Sequence, residues 1–189
     1  MDELPMIYVT STFLYLLIET EPEIKYGHIL PSFIILLNLA ITIAYIYLLN
    51  PVFHQVSFGL VITYDFYKSY ILLSKLPNSG SSKKQLKSLL IRGFFSFLIG
   101  FAAWNLDNIC CKNLRTLRLI LGPPFDALLQ MHGWWHILTA YAAHCLATFV
   151  TALRFELSNT TNYSIRFLFP GVPLISFNTS NKNEIKKFY

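Results

Sequence analysis

The chain has 189 residues and is too apolar for an ordinary water-soluble protein. Hydrophobic residues make up 54% of it, aromatic residues 16% and charged residues only 13%, whereas soluble domains are about 25% charged. The aromatic content also excludes a disordered chain, and three cysteines do not make a disulfide framework. The net charge of +5 is typical of a membrane protein whose basic loops determine its orientation. No nucleic-acid partner is expected.

Five apolar segments follow one another along the chain. None alternates with a period of two, as barrel strands do, so the fold class predicted is an all-α integral membrane protein. The first segment is short for a hydrocarbon core that takes about 20 residues to cross. The predicted spans are 4–18, 28–49, 52–73, 89–104 and 125–153, which together make a transmembrane bundle over residues 1–153.

Residues 154–189 are predicted to be a cytosolic tail. Its one apolar stretch, Ile165–Phe177, is too short to cross a bilayer and contains two prolines. The tail and the loops on its side together carry eleven Lys or Arg residues, and the loops on the other side carry three, Lys112, Arg115 and Arg118. This asymmetry places the C-terminus in the cytosol.

His132 and His136 stand at positions i and i+4 of the last span, one turn apart on the same helix face. Two imidazoles in this arrangement can bind one zinc ion, and polar side chains inside an apolar span are costly and usually functional. The alternative is two histidines hydrogen-bonded across helices. His144, two turns further along, is predicted to be a packing or hydrogen-bonding residue.

Other polar residues lie near the ends of the spans. Asp2, at the mouth of the first span, can orient or deprotonate a metal-bound water, and the alternative is a solvated terminal acid. The segment Trp104–Asn108 lines the site or caps its helix, and His54 is expected to make an interhelical hydrogen bond. Asp65 and Lys68 are expected to form a structural ion pair rather than a proton relay.

Four motifs in chain order carry a resemblance to a known family: Asp2–Tyr8, Phe53–Val56, Trp104–Asn108 and His132–Leu138. The chain resembles the alkaline ceramidases, and the phytoceramidase-type members most closely. The resemblance implies a seven-helix membrane amidase that cleaves ceramide or phytoceramide to a sphingoid base and a fatty acid. It also implies a zinc ion held by three histidines. Two of these match His132 and His136, and the family aspartate that helps to position the zinc-bound water matches Asp2.

The resemblance further implies an N-terminal segment that has no match in this sequence. That segment carries two helices, the third zinc histidine in an S-x-x-x-H motif, the serine of that motif and an acidic calcium site. The five predicted spans then correspond to the last five of seven helices, and the chain is expected to be truncated. Because two histidines alone bind zinc weakly, the chain by itself is expected to lack ceramidase activity.

Two functions are compatible with these residues. The first is a zinc-dependent ceramide amidohydrolase of sphingolipid metabolism, favoured by His132, His136 and Asp2. The second is a catalytically dead, receptor-like or lipid-binding relative, favoured by the unmatched serine and histidine. Lys186 and Lys187 resemble a dilysine retrieval signal, which predicts residence in the endoplasmic reticulum or the Golgi. The alternative is a chance pair in a basic terminus.

Asn159, Asn162 and Asn178 each begin an N-x-S/T sequon, and we expect none of them to carry a glycan because such sites are modified only on the lumenal side. The measurement is electrophoretic mobility before and after deglycosylation. A mobility shift that disappears when all three asparagines are replaced by glutamine would invert the predicted topology.

Overall fold

The computed structural model describes residues 4–20, 25–48, 50–77, 81–158, 163–168 and 171–177. Within these ranges the chain is mainly α-helical. It forms α1 (Leu4–Ile18), α2 (Ile29–Leu48), α3 (Pro51–Lys75), α4 (Ser81–Ile109), α5 (Cys111–Leu121), a short 3-10 helix (Phe125–Leu129), α6 (Met131–Leu157), β1 (Tyr163–Leu168) and β2 (Val172–Phe177).

Helices form at all five predicted spans, because long apolar runs without internal breakers favour this structure. Three of them are long and apolar enough to cross a bilayer: Ile29–Leu48, Ser82–Ile109 and Met131–Leu157. In α2 only Ile34 is buried, so nearly the whole apolar surface of this helix is left for lipid. The protein is therefore a multi-pass membrane protein. The helix α1 has 15 residues, and α3 carries Asp65 and Lys68 in its apolar sequence.

Two helices differ in their bounds from the predicted spans. The helix α4 begins at Ser81 rather than at residue 89, because Leu86 and Leu89 are fully buried and extend its packing surface toward the N-terminus. The last span begins at Met131 rather than at residue 125, since the preceding residues form the 3-10 helix.

A further helix, α5, occupies the segment from Asn105 to Pro124 that was predicted to be a loop. It ends at Gly122, whose φ of +62° favours glycine. Pro123 and Pro124 follow and cannot continue the helix.

The end of the described chain forms an antiparallel β-hairpin, which the sequence did not predict. Its register pairs Tyr163 with Phe177 and Leu168 with Val172. The hairpin packs on α6, because Ile165 is buried in the same core cluster as residues of that helix. Burial and the adjacent Glu156 carboxylate raise the pKa of the Tyr163 phenol, so its hydroxyl remains a donor, 2.5 Å from Oε1 of Glu156.

The helices α4 and α6 pack closely against each other in antiparallel directions. A Cβ atom placed on Gly100 would lie 3.1 Å from Cβ of Leu138 and 3.3 Å from Cε3 of Trp135, and one on Gly93 would lie 3.2 Å from Cβ of Cys145. Between these two glycines, Ser96 Oγ donates to the carbonyl of Leu138 at 2.8 Å. Small residues therefore bring the two backbones together, as is common between helices in membranes.

The helix α1 lies between α2 and α3 and is antiparallel to α2. Ser11 Oγ donates to Oδ1 of Asn38 at 2.9 Å, and the hydroxyls of Tyr8 and Thr42 are 2.8 Å apart. The Glu19 carboxylate accepts hydrogen bonds from the backbone nitrogens of Lys25 and Tyr26 at 2.9 and 2.8 Å. This buried carboxylate therefore fixes the entry into α2.

We expect Gly100→Val to destabilise the protein by about 1–3 kcal/mol, because the added carbons overpack the contact with Trp135 and Leu138. The measurement is the midpoint of thermal unfolding in detergent. Gly59→Val is the matched control, since a Cβ atom at Gly59 in α3 meets nothing within 4 Å. Equal effects of the two substitutions would contradict the close packing of α4 on α6.

Candidate metal centre

His132 and His136 lie in the first two turns of α6 and their side chains converge. The two Nε2 atoms are 3.1 Å apart, and the ring planes are inclined at 80°. In a tetrahedral zinc site with Zn–N distances of about 2.0–2.1 Å, two imidazole nitrogens are about 3.3 Å apart. The two rings converge as the spacing of i and i+4 predicts, and the distance between their Nε2 atoms is close to that between two ligands of one zinc ion.

The beginning of α6 is held in place by the 3-10 helix before it. The indole nitrogen of Trp134 donates to the carbonyl of Leu128 at 3.0 Å. Arg118 of α5 donates to the carbonyl of Leu129 from Nη2 at 2.9 Å and from Nε at 3.2 Å. These hydrogen bonds hold the backbone just before α6. They therefore fix the start of the helix that carries His132 and His136.

Trp135 sets the rotation of α6 around its axis. This residue is 5% exposed and contacts three aromatic rings, Phe58 of α3 and Phe97 and Phe101 of α4, at centroid distances of 6.4, 5.9 and 6.2 Å. His136 follows Trp135 by one position, or about 100° around the helix. With Trp135 held in the aromatic cluster, His136 faces the space between α1 and α6.

That space is an apolar cavity of about 280 Å³, open on one side and lined by residues of α1, α3, α4 and α6. His136 and Thr139 line one end of it and Leu146 the other, and on α6 the ten residues from His136 to Leu146 span about 15 Å. The rest of the lining includes Met6, Phe13, Ile62, Phe66 and Phe97. The histidine pair therefore stands at the end of an elongated apolar cavity, which no sequence motif revealed.

No group of three His, Cys, Asp or Glu side chains that could hold a metal ion is found in the described part of the chain. Asp2 lies outside the described residues, but Pro5 and Met6, a few positions later, line the same cavity as His136. His54 is buried and packs against Tyr45 of α2 at a centroid distance of 5.2 Å. It makes an interhelical contact and is not grouped with the histidine pair.

His144 takes the hydrogen-bonding role predicted for it. Its Nε2 lies 2.7 Å from the carbonyl oxygen of Pro173 in the β-hairpin. The neighbouring Tyr141 donates its hydroxyl to the carbonyl of Gly171 at 3.0 Å. His144 therefore serves the docking of the hairpin.

The polar side chains at the end of α4 form hydrogen bonds within this helix and to α5. Asn105 and Asn108 donate from Nδ2 to the carbonyls four residues earlier, at 2.8 and 3.0 Å. Asp107 accepts from Nη2 of Arg118 at 3.0 Å, so one arginine connects the end of α4, α5 and the carbonyl of Leu129. The sequence predicts Arg118 only as a basic loop residue, because no sequence pattern identifies Asp107 and Leu129 as its partners.

The predicted ion pair between Asp65 and Lys68 is not found. Asp65 is fully buried, and neither of its carboxylate oxygens has a hydrogen-bond partner among the described residues. Ser69, one turn later on the same face, is also fully buried and its Oγ is likewise unpartnered. Asp65 faces the interior of the bundle, and sequence spacing alone does not reveal this.

The fold and the site together define a class: a multi-pass helical membrane protein with a converging histidine pair at the end of an apolar cavity. Residues 1–176 match the model of the family described as Ceramidase, and the chain belongs to this family.

Individual relatives agree with this assignment. Alkaline ceramidase 3 of Mus musculus is 35% identical over 192 residues, which cover 97% of this chain and 66% of the relative. Alkaline ceramidase YPC1 of Saccharomyces cerevisiae is 30% identical, with 86% of this chain and 56% of the relative covered. Putative alkaline ceramidase dcd3A of Dictyostelium discoideum is 29% identical, with 79% and 53% covered. The chain thus spans between half and two thirds of the length of these relatives.

Proposed function

We propose that the chain is all or part of a zinc-dependent amidase that hydrolyses the N-acyl bond of ceramide or phytoceramide. The observation that carries this proposal is the pair of Nε2 atoms 3.1 Å apart at the end of an apolar cavity. A polar reactive group beside a long apolar cavity suits a substrate whose amide lies between two hydrocarbon chains. Membership of the ceramidase family supports the same substrate.

His132 and His136 would hold the zinc ion through their Nε2 atoms. The chemistry that zinc supplies in such a site is Lewis-acid polarisation of a carbonyl and a water pKa lowered toward about 7. Asp2 accepts the proton of the attacking water and passes it to the leaving amine. Thr139 and the apolar lining of α1, α3 and α4 orient the acyl chain and exclude other water from the amide.

Two donors leave a catalytic zinc site incomplete, because such sites use three protein ligands. The third ligand in the proposal is the histidine of the family's S-x-x-x-H motif, which has no match in this sequence. The five helices at the predicted spans are then the last five of seven, and the calcium site of the family lies in the unmatched segment. Residence in the endoplasmic reticulum or Golgi with a cytosolic C-terminus completes the proposal, supported by the basic-residue asymmetry and by Lys186 and Lys187.

A second candidate is lipid binding without hydrolysis. It is favoured by one observation, that the Nε2 atoms of His132 and His136 lie within hydrogen-bond distance of each other, at 3.1 Å. In this case the cavity would hold a lipid chain, and His132 and His136 would interact with each other rather than with a metal ion.

The two candidates are separated by adding the N-terminal segment that the family resemblance implies. We expect the chain alone to release no sphingoid base in a ceramidase-null membrane, and a fusion with the N-terminal segment of the mouse relative before Asp2 to release it. Release by the chain alone would show that another residue completes the site. A fusion that is well expressed, binds no zinc and remains inactive would favour the lipid-binding candidate.

In the active fusion, we expect His132→Ala and His136→Ala each to abolish hydrolysis and to lower the bound zinc, measured by atomic absorption on the purified protein. The matched control is His144→Gln, because His144 lies on the same helix and contacts Pro173. Full zinc content in either alanine variant would refute the metal assignment.

We also expect Ala143→Phe to obstruct the cavity, because Ala143 lines it. Ceramidase kcat/KM in the fusion should fall at least about tenfold, the effect of roughly 1.4 kcal/mol, while the zinc content stays unchanged. Ile137→Phe is the control on the same helix, since Ile137 is exposed and does not line the cavity. Equal activities of the two variants would show that the acyl chain binds elsewhere.

A further inference from the structure

The helix α5 lies at the same end of the bundle as the histidine pair. The helix α4 ends at Ile109 and α6 begins at Met131, and both helices have the length and composition of membrane spans. Because α4 and α6 are antiparallel, the segment between them lies at one surface of the bilayer. The level of α5 is therefore the level at which a membrane changes from hydrocarbon to headgroups.

The apolar surface of α5 is too exposed for a segment surrounded by water. Leu117, Ile120 and Leu121 lie on one side of the helix and are 46%, 74% and 49% exposed. Apolar side chains are also exposed just before and just after α5 in the chain: Ile109 at the end of α4 is 81% exposed, and Phe125 at the start of the 3-10 helix is 59% exposed. Contiguous exposed apolar side chains next to membrane spans are typical of contact with lipid.

The other side of α5 carries two basic residues together with one exposed apolar residue, Leu119. Lys112 and Arg115 are exposed, and neither forms an ion pair with another residue in the described ranges. The third cation of the helix, Arg118, turns toward the protein and binds Asp107 and the carbonyl of Leu129. Two cations next to an apolar surface match the phosphates of acidic phospholipids, which attract basic residues near the surface of a bilayer. Because α6 has the length of a membrane span, these headgroups belong to the leaflet opposite the C-terminus.

We propose that α5 lies in the plane of the bilayer interface, with Leu117, Ile120 and Leu121 among the acyl chains. Lys112 and Arg115 then bind the headgroups of acidic phospholipids. The occupant of this surface is thus the bilayer itself. Since Arg118 connects α5 to the carbonyl that precedes α6, the depth of α5 also fixes the depth of His132 and His136. This proposal goes beyond the proposed function and holds whether or not the chain hydrolyses ceramide.

The first test measures depth on the two sides of the helix in the 189-residue chain reconstituted into phosphatidylcholine vesicles. Cys110 and Cys111 are replaced by Ser, and buried Cys145 is kept. A nitrobenzoxadiazole label is attached in turn to Leu117→Cys and Leu119→Cys. These positions are about 160° apart around the helix, and Leu119 is 86% exposed.

We expect doxyl-labelled lipid to quench the label at position 117 at least about twofold more than the label at position 119, and aqueous iodide to show the opposite order. Equal quenching of the two labels by lipid would refute the interfacial orientation. A label at position 117 that neither quencher reaches would show that a protein, such as a second copy of this chain, covers the surface, and this also overturns the proposal.

The second test concerns the headgroups and uses the label at position 117. We expect vesicles containing 30 mol% phosphatidylserine, about a third of the lipid and enough to give the surface potential of an acidic leaflet, to increase quenching by doxyl lipid. The Lys112→Gln/Arg115→Gln variant should lose this increase. The matched control, Lys84→Gln/Lys87→Gln, removes two exposed charges near the other end of α4 and should retain it. An increase that persists without Lys112 and Arg115 would refute headgroup binding by α5.

Discussion

Gly93 and Gly100 let α4 approach α6 so closely that a single methyl group at either position would lie within 3.2 Å of the other helix. This approach places Trp135 against Phe97 and Phe101 and thereby determines which way α6 faces. The rotation of α6 around its axis sets the orientation of the histidine pair. The face of α6 that begins at His136 forms one wall of the apolar cavity. A few small side chains on α4 thus control the geometry of a site to which α4 contributes no metal-binding group.

Polar side chains inside the bundle mostly satisfy their hydrogen bonds within their own helix. The hydroxyls of Thr10, Thr139 and Thr148 donate to carbonyls three or four residues earlier, so their burial costs little. Asp65 and Ser69 differ, since their oxygens are buried without partners among the described residues. A buried acid of this kind is costly, and Asp65 is therefore the position in α3 where packing alone does not explain the residue.

The sequence predicted the helices and the histidine pair because both depend on local patterns: an apolar run long enough to span, and two imidazoles one turn apart. It did not predict features that depend on tertiary contacts. The hairpin strands have six residues each and need Ile165 and Tyr163 packed on α6. The helix α5 lies in a segment whose basic residues indicate a loop outside the membrane. Its apolar face, Leu117, Ile120 and Leu121, is too short to be recognised as a span. The cavity has contributions from four helices and no linear signature.

The depth of the histidine pair along the membrane normal determines which part of a lipid can reach it. On the proposed function the scissile amide joins the fatty acyl chain to the sphingoid base, next to the hydroxyl groups of that base. It therefore lies near the level of the headgroups, which is the level proposed for α5. The lining that extends from His136 to Leu146 is almost entirely apolar, and it offers few groups that could recognise a substrate by hydrogen bonds. Selection then depends on depth and on chain volume: a lipid reacts only if its amide reaches the level of His132 while its acyl chain fills the cavity. On the proposed function, the bundle therefore contributes to substrate recognition by fixing the depth of the two histidines in the membrane.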